Sequence, residues 1–290
     1  MTAIFLKFCN NNFNKLQKIC RFRRSFSTVH PLLAISPIDG RYRNKTEKLS
    51  KIFSEFGLIR NRVFTEIKWI KKLSTLSKTN EQIPVLSKNG ENELKNIAEN
   101  FSLKDAEEVK LIETKIKHDV KAVEYYLRNK FCKSEFLKPF DQYIHLFCTS
   151  EDITNVSYAL SLKESREILI DRKSVILAQL EEMAFKYKDL AMISRTHGQA
   201  ASPTTLGKEI AVFANRLNKQ LSIFKKIPIS AKFNGAVGNF NAHRLSMPNV
   251  DWINFTKEFI ENDLELNCTY LTTQIEPNDM VSVYLDCLKR

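Results

Sequence analysis

Apolar residues recur at three- and four-residue steps along most of the chain, which is the period of an amphipathic α-helix. The repeat is clear between residues 44 and 78, at positions Ile52, Phe53, Phe56, Ile59, Val63, Ile67, Ile70 and Leu73. Strict alternation of apolar and polar residues, which marks a half-buried strand, is nearly absent. The pattern therefore predicts an all-α protein built from long antiparallel helices.

Three further stretches show the same period, and they lie at about 102–130, 150–187 and 203–226. Ser102 followed by Asp105 predicts a capping box at the start of the first of them. Ser202 and Pro203 suit the N-cap and the first helical position of the last. The segment 77–92, which contains proline and glycine, is predicted to interrupt the helices.

Composition supports helices and draws attention to the N-terminus. Glycine and proline, which helix interiors exclude, number only seven and eight among the 290 residues. The formal net charge is +12. Half of this excess comes from bases that precede Asp39, the first acidic residue, namely Lys7, Lys15, Lys18, Arg21, Arg23 and Arg24.

Residues 1–30 are predicted to be a targeting peptide, because they combine scattered bases and apolar residues with no acid. The run from Arg24 to Thr28 is typical of a mitochondrial processing site. A mitochondrion or a plastid is the expected destination, and the cytoplasm if the segment is only a disordered basic tail. Because the charge is concentrated there, a nucleic-acid-binding function is a weak hypothesis.

Other classes are disfavoured by the sequence. No stretch is long and apolar enough to cross a membrane. The six cysteines form no CxxC pair, so neither a zinc site nor a disulfide framework is expected.

Six polar segments do not fit a simple core or surface pattern. They are DGRY (39–42), KHDVKAVEY (117–125), CTSEDITN (148–155), SRTHGQA (194–200), NGAVGNFNAH (234–243) and TTQIEP (272–277). His197 lies in a loop beside glycine, arginine and glutamine, which suits proton transfer. Thr149 and Ser150 precede a helix, where they act either as caps or as ligands for an anion.

Two of these segments leave both interpretations open. His118 has a helical context and is either structural or part of a dense ionisable group with Lys117, Asp119 and Lys121. The segment 234–243 is either a connection between helices or a loop whose glycines approach a ligand closely.

Taken in order, the six segments resemble the motifs of the adenylosuccinate lyase family, which belongs to the fumarase/aspartase superfamily. The quoted runs SPIDGRY, KHDVKAVEYYL, CTSEDITN, SRTHGQAASPTTLGKE, NGAVGNFNAH and TTQIEP are closer to its bacterial- and plant-type branch. The resemblance extends from about Leu33 to the last residue. It implies a fold of three helical domains whose long-helix bundle forms a homotetramer, with active sites built from three subunits.

The resemblance also implies a carbon–nitrogen lyase of purine biosynthesis. The family eliminates fumarate from adenylosuccinate, which leaves AMP, and from the succinyl-carboxamide ribotide SAICAR, which leaves AICAR. It needs no cofactor and no metal, so the expected partners are a small nucleotide substrate and copies of the chain, with no nucleic acid and no membrane.

Residue by residue, the resemblance makes His197 the general acid, with His118 in a supporting role. The substrate-binding residues that it implies are Arg41, Tyr42, Lys117, Asp119, Thr149, Ser150, Gln199, Asn234 and Gln274. Arg41 and Tyr42 are assigned to the phosphate, and Thr149 and Ser150 to a carboxylate. A substrate with a phosphate and two carboxylates suits arginines, hydroxyls and helix-terminal amides.

The sequence departs from the family pattern in four respects. Lys117, Ala200 and Asn278 stand where the family has asparagine, proline and histidine. The serine-bearing loop that supplies the family's base, serine-serine-x-methionine-proline-x-lysine-x-asparagine, does not occur in the sequence. We therefore expect a C-terminally truncated lyase, and the alternative hypothesis is a non-catalytic lyase-like subunit.

The expected organisation has three parts. Residues 1–30 form the targeting peptide, 31–138 an N-terminal helical domain, and 139–290 the first part of the long-helix bundle, without the rest of that bundle or the third domain.

Overall fold

The computed structural model describes residues 30–290, and helices dominate it, which confirms the prediction from apolar periodicity. The α-helices of the described part are α1 (Arg43–Phe53), α2 (Glu55–Ser74), α3 (Lys88–Glu99), α4 (Leu103–Ile116), α5 (Asp119–Phe131), α6 (Ser150–Lys186), α7 (Leu206–Lys226), α8 (Asn241–Ser246), α9 (Trp252–Glu258) and α10 (Asp279–Lys289). Short 3₁₀-helices span Pro31–Leu33, Thr75–Lys78 and Lys138–Tyr143, and a π-helical turn spans Phe259–Asp263. The expected targeting peptide falls mainly on residues 1–29, outside the described residues.

The chain divides into two compact units between Glu47 and Lys48. In the described part of the first unit, the amides of Asp39 and Gly40 donate to the carbonyl of Ser36 at 3.2 and 3.0 Å. These bonds form the turn that the Pro-Ile-Asp-Gly run predicts.

In the second unit, α2 is the centre of the core. It buries Val63, Trp69 and Ile70 completely and packs against α4, α5 and α6. The indole Nε1 of Trp69 donates to the carbonyl of Leu146 at 2.8 Å, and its ring lies 4.6 Å from that of Phe233. Trp69 thus connects the helical core to the residues just before two of the polar segments, 148–155 and 234–243.

The longest helix, α6, has 37 residues and lies beside α7. At 1.5 Å per residue it is about 55 Å long. Its N-terminal part is buried, whereas its C-terminal part leaves apolar side chains such as Val175, Ile176 and Phe185 exposed. Several exposed apolar side chains on one helix favour a contact with another chain.

Three helix predictions need correction here. The region 44–78 is not one helix, because α1 ends at Phe53 and Ser54 begins α2 as its N-cap. The region 102–130 is two helices, because Lys117 adopts the left-handed conformation (φ 58°) and ends α4, and His118 then begins α5 as its N-cap. The segment expected to interrupt the helices contains the start of α3, where the Ser87 hydroxyl accepts from the Gly90 amide at 3.1 Å. The stabilising effect of the Ser87 cap therefore outweighs the low helix propensity of Gly90. The capping box of Ser102 and Asp105 is confirmed.

The predicted start of the last helix at Ser202 and Pro203 is wrong. Both residues lie in strand β2 (Gln199–Thr205), and α7 begins at Leu206 with Thr205 as its N-cap. Close packing against α6 fixes this start, because a Cβ on Gly207 would lie 2.3 Å from the Ala184 carbonyl oxygen.

Two small sheets complete the described part. Strand β1 (Ala191–Thr196) pairs with β2 as an antiparallel hairpin, and β3 (Ser230–Ala231) pairs in parallel with β4 (Asn267–Cys268). The second pairing brings the chain that follows β3 beside the chain that follows β4. None of the helices in residues 30–290 has the length and apolar character needed to cross a membrane.

Candidate active site

The N-terminus of α5 carries the first pair of predicted site residues. His118 is its N-cap, and the Nδ1 atom of the ring accepts from the amide of Lys121 at 3.1 Å. A neutral ring that accepts at Nδ1 carries its proton on Nε2. His118 is therefore not a residue within a helix, as its context suggested, but an exposed cap whose Nε2 remains available for a ligand.

Arg62 of α2 connects the starts of α5 and α6. Its Nη2 lies 2.8 Å from Oδ2 of Asp119 and donates to the hydroxyl of Thr154 at 3.3 Å. Burial alone would raise the pKa of Asp119, but the charge of Arg62 and the hydrogen bond from the Val120 amide outweigh it and lower this pKa. The site thus holds Asp119 as a carboxylate.

At the start of α6, Asp152 accepts four hydrogen bonds. The amide of Thr149 donates at 2.9 Å, the amides of Asn234 and Gly235 at 3.2 Å each, and the Nζ of Lys232 lies at 2.8 Å. Asp152 and Lys232 are both completely buried. This ion pair fixes the loop after β3 against the start of α6 and against Thr149, which precedes it.

The side chain of Asn234 is buried, and its Nδ2 donates to the Tyr270 carbonyl at 3.2 Å and to the Thr272 hydroxyl at 2.8 Å. These bonds join the 234–238 loop to the segment that contains Gln274, which is itself exposed. The structure therefore brings Thr149, Ser150 and Asn234 together, with the Gln274 segment beside them.

A buried network below these helices was not found by sequence reasoning. The Nδ1 of His145 lies 2.6 Å from Glu66, its Nε2 lies 3.7 Å from Glu124, and Lys121 pairs with Glu124 at 2.7 Å. Burial would lower the pKa of His145, but the two carboxylates raise it above its ordinary value. The available signal was Glu66, a charged residue inside the apolar repeat of α2.

His197 and Gln199 lie elsewhere, in the β1–β2 hairpin. Thr196 pairs with Gln199, so His197 and Gly198 form a two-residue turn with φ of 52° and 74°, as a type I′ turn requires. The whole turn is exposed. The hairpin follows the C-terminal end of α6, and Thr149 precedes its N-terminal end, about 55 Å away along the helix. One chain therefore does not bring His197 to Thr149.

The remaining predicted residues are placed as follows. In the first unit, Arg41 and Tyr42 are exposed, and the guanidinium carbon lies 5.5 Å from the centre of the tyrosine ring. Lys117 is exposed at the turn between α4 and α5. Among residues 30–290, no group of histidine, cysteine or acidic side chains has an arrangement suited to a metal ion.

Comparison with known proteins identifies the family to which the chain belongs. Residues 40–290 match the sequence model of a family described as lyase, and the chain belongs to that family. It is 45% identical over 261 residues to an adenylosuccinate lyase of Vibrio cholerae (89% of this chain, 57% of the relative) and 42% identical over 260 residues to that of Escherichia coli (89% and 57%). The chain thus spans a little over half the length of these relatives.

Solved structures support the fold alone. A fumarate lyase from Mesorhizobium is similar with a TM-score of 0.66 at 19% identity, over 83% of this chain and 53% of that one. The 3-carboxy-cis,cis-muconate lactonizing enzyme from Pseudomonas putida gives 0.64 at 16% identity, over 83% and 52%. Both agree with a mostly helical, fumarase-like fold.

Replacing Gly238 with alanine is expected to destabilise the loop beside Asn234. Gly238 has φ of 81°, and a Cβ there would lie 2.1 Å from the Thr272 carbonyl oxygen. Left-handed strain and the clash together should lower the free energy of unfolding by about 2–4 kcal/mol. The matched control is Gly198→Ala, which has φ of 74° but open space around it, and should cost about 1–2 kcal/mol. Equal losses in urea unfolding would contradict the close approach.

Acid should destabilise the protein through His243. Burial of its ring, with a smaller effect of the Lys232 charge, lowers the pKa of His243 to about 4 from 6.5. The unfolded chain therefore binds the proton first, and stability present above pH 6.5 is lost as the pH falls towards 4. This group accounts for about 3 kcal/mol of that loss.

The measurement is the free energy of unfolding at several pH values. His243→Leu should flatten the pH dependence between 6.5 and 4, whereas Phe240→Leu, in the same aromatic cluster, should keep its slope because the imidazole remains. Parallel curves for the protein and His243→Leu would refute the assignment.

Proposed function

We propose that the chain is an adenylosuccinate lyase subunit, which eliminates fumarate from adenylosuccinate to leave AMP and from SAICAR to leave AICAR. The observation that carries the proposal is the meeting of two helix N-termini, those of α5 and α6, around Arg62, where His118, Asp119, Thr149 and Ser150 lie. The 42–45% identity to relatives named adenylosuccinate lyase supports the same reaction.

The local chemistry suits such a substrate. Free amides at a helix N-terminus and the positive end of its dipole attract phosphate and carboxylate groups. The hydroxyls of Thr149 and Ser150 lie at the start of α6, and both are partly accessible. They would therefore hold a carboxylate of the succinyl group, with Lys117, Gln199 and Gln274 as further ligand contacts, whereas the buried Asn234 would hold its loop in place. The resemblance alone assigns Arg41 and Tyr42 to the phosphate.

In the reaction, the bond between carbon and nitrogen breaks while a proton leaves the neighbouring carbon. His197 would donate a proton to the departing nitrogen, and His118 would support it. Developing negative charge on the carboxylate would be stabilised by the α6 N-terminus. The proton from carbon would go to the family's serine base, whose loop pattern does not occur in these 290 residues.

Assembly is part of the proposal. A complete site needs His197 from one copy and Thr149 with Ser150 from another, because about 55 Å of α6 separates them within a chain. The exposed apolar residues of α6 support contacts between copies, and a homotetramer is the assembly that the resemblance implies. The division into domains at 31–138 and 139–290 stays a prediction. Import into a mitochondrion or plastid also stays a prediction.

The test is fumarate release from adenylosuccinate by the protein purified as its natural transcript encodes it. Turnover that increases with assembly supports the proposal. An assembled protein that binds the substrate but releases no fumarate would contradict it, and would favour a non-catalytic lyase-like subunit.

A further inference from the structure

A cleft of about 310 Å³ lies where the C-terminal end of α7 meets the side of α6. Four basic side chains line it, Lys163 and Arg166 of α6 and Lys225 and Lys226 of α7. Glu265 is the only acid among its lining residues. The cleft therefore carries an excess of positive charge.

Two of these bases are held in place by the fold. The Nη1 of Arg166 donates to the carbonyl of Ile227 at 2.8 Å, and four-fifths of this side chain is buried. The Nζ of Lys163 donates to the Leu264 carbonyl at 3.2 Å and to Glu265 at 2.6 Å. Because a guanidinium has five N–H donors, Arg166 keeps donors for a ligand after it binds Ile227.

The other two bases have no acidic partner. Lys225 and Lys226 belong to the last turn of α7, and neither forms an ion pair with another described residue. Lysines often end helices because the dipole is negative there. That effect does not explain why two bases from the middle of α6 face the same cleft. Lys163 is paired with Glu265, and the Nε of Arg166 lies 3.9 Å from the largely exposed carboxylate of Glu167. The two lysines of α7 therefore remain without an acidic partner for an external anion.

A larger groove of about 620 Å³ adjoins the cleft and shares Lys163 and Arg166 with it. Its apolar lining consists of Phe64, Ala98 and Leu160. Three bases (Arg60, Lys163 and Arg166) and three acids (Glu99, Glu164 and Glu167) also line the groove, and Arg60 pairs with Glu164 at 2.6 Å. Because these charges balance, the groove suits an uncharged body.

We propose that the cleft and the groove together bind a small organic phosphate, with the phosphate between the bases of α6 and α7 and an aromatic or apolar body against Phe64 and Leu160. Arginine and lysine are the side chains that bind phosphate best. Lys163 lies about 20 Å along α6 from Thr149, so this site is separate from the proposed active site and does not depend on it.

The experiment measures binding of phenyl phosphate by isothermal titration calorimetry, with inorganic phosphate and phenol as partial ligands. Phenyl phosphate should bind more tightly than either part. K225E/K226E should weaken it at least about tenfold, the size expected for lost charge-assisted hydrogen bonds. The control R216E/K219E makes the same charge change on exposed positions of the same helix and should change affinity less than about twofold.

R41A/K117A, which changes residues assigned to substrate binding at the proposed active site, separates the two sites and should leave the affinity for phenyl phosphate unchanged. K226A, a milder change, serves if K225E/K226E does not fold by circular dichroism. The proposal is overturned by no saturable binding up to about 10 mM, by equal weakening in K225E/K226E and the control, or by loss of binding in R41A/K117A.

Discussion

Replacing Asp152 with asparagine should lower the free energy of unfolding by about 3–5 kcal/mol, because it leaves the ammonium of Lys232 buried without a counter-charge. Both side chains are inaccessible to solvent, and their charged atoms are 2.8 Å apart. Lys232 keeps one other bond, to the Gly235 carbonyl at 2.8 Å. A neutral carbonyl does not replace a carboxylate in the protein interior.

The converse change, Lys232→Met, should cost less. The carboxylate of Asp152 retains three amide donors, from Thr149, Asn234 and Gly235, after the lysine is gone. In urea unfolding we therefore expect Asp152→Asn to be the more damaging single change, and the double variant to recover part of the loss. Additive losses would show that the pair is not coupled.

An exposed ion pair provides the control. Lys95 and Glu99 lie 3.8 Å apart on α3 with most of both side chains in solvent. Glu99→Gln should change the free energy of unfolding by no more than about 0.5 kcal/mol.

Replacing His197 with glutamine should lower kcat for fumarate release by about 10²- to 10⁴-fold, the range usual for loss of a general acid. Glutamine keeps the size and polarity of the turn but cannot deliver a proton. Because His197 is exposed at the tip of a hairpin, the variant should unfold at the same urea concentration as the parent protein.

Two results would separate this role from a structural one. The rate of the His197→Gln variant should lose the alkaline limb of its pH profile, which reports deprotonation of the acid. The neighbouring change Thr196→Ala, in the same hairpin, should keep both the limb and most of the rate. A variant at His197 with nearly full kcat would remove this residue from the mechanism.

Apolar periodicity predicted the main helices because each buries one face or more. The β1–β2 hairpin was not predicted because it lacks such a buried face. Its strands are almost wholly exposed, so no buried face imposes alternation on residues 191–205. The sequence did not predict α3 because glycine usually interrupts a helix. Gly90 lies instead in the first turn of α3, where its amide donates to the hydroxyl of the N-cap residue Ser87.

In the candidate site too, the sequence predicted some residues and not others. His118, Thr149 and Ser150 stand out as polar residues at helix starts, and motif resemblance pointed to them. Arg62 and Glu66 did not, because each lies within the apolar stretch of α2 and acquires its partner only through contacts between distant segments. The motifs do not show how far His197 lies from Thr149. That distance follows from the unbroken length of α6, which separates the two residues.

The most direct test of sites shared between copies is a mixing experiment with His197→Gln and T149A/S150A. Each variant alone should release little fumarate. After they are unfolded, mixed in equal amounts and refolded together, about one quarter of the sites should combine an intact His197 with an intact Thr149 and Ser150. Activity should then rise to about a quarter of that of the unmodified protein. A mixture no more active than the sum of its two parts would contradict a site built from different subunits.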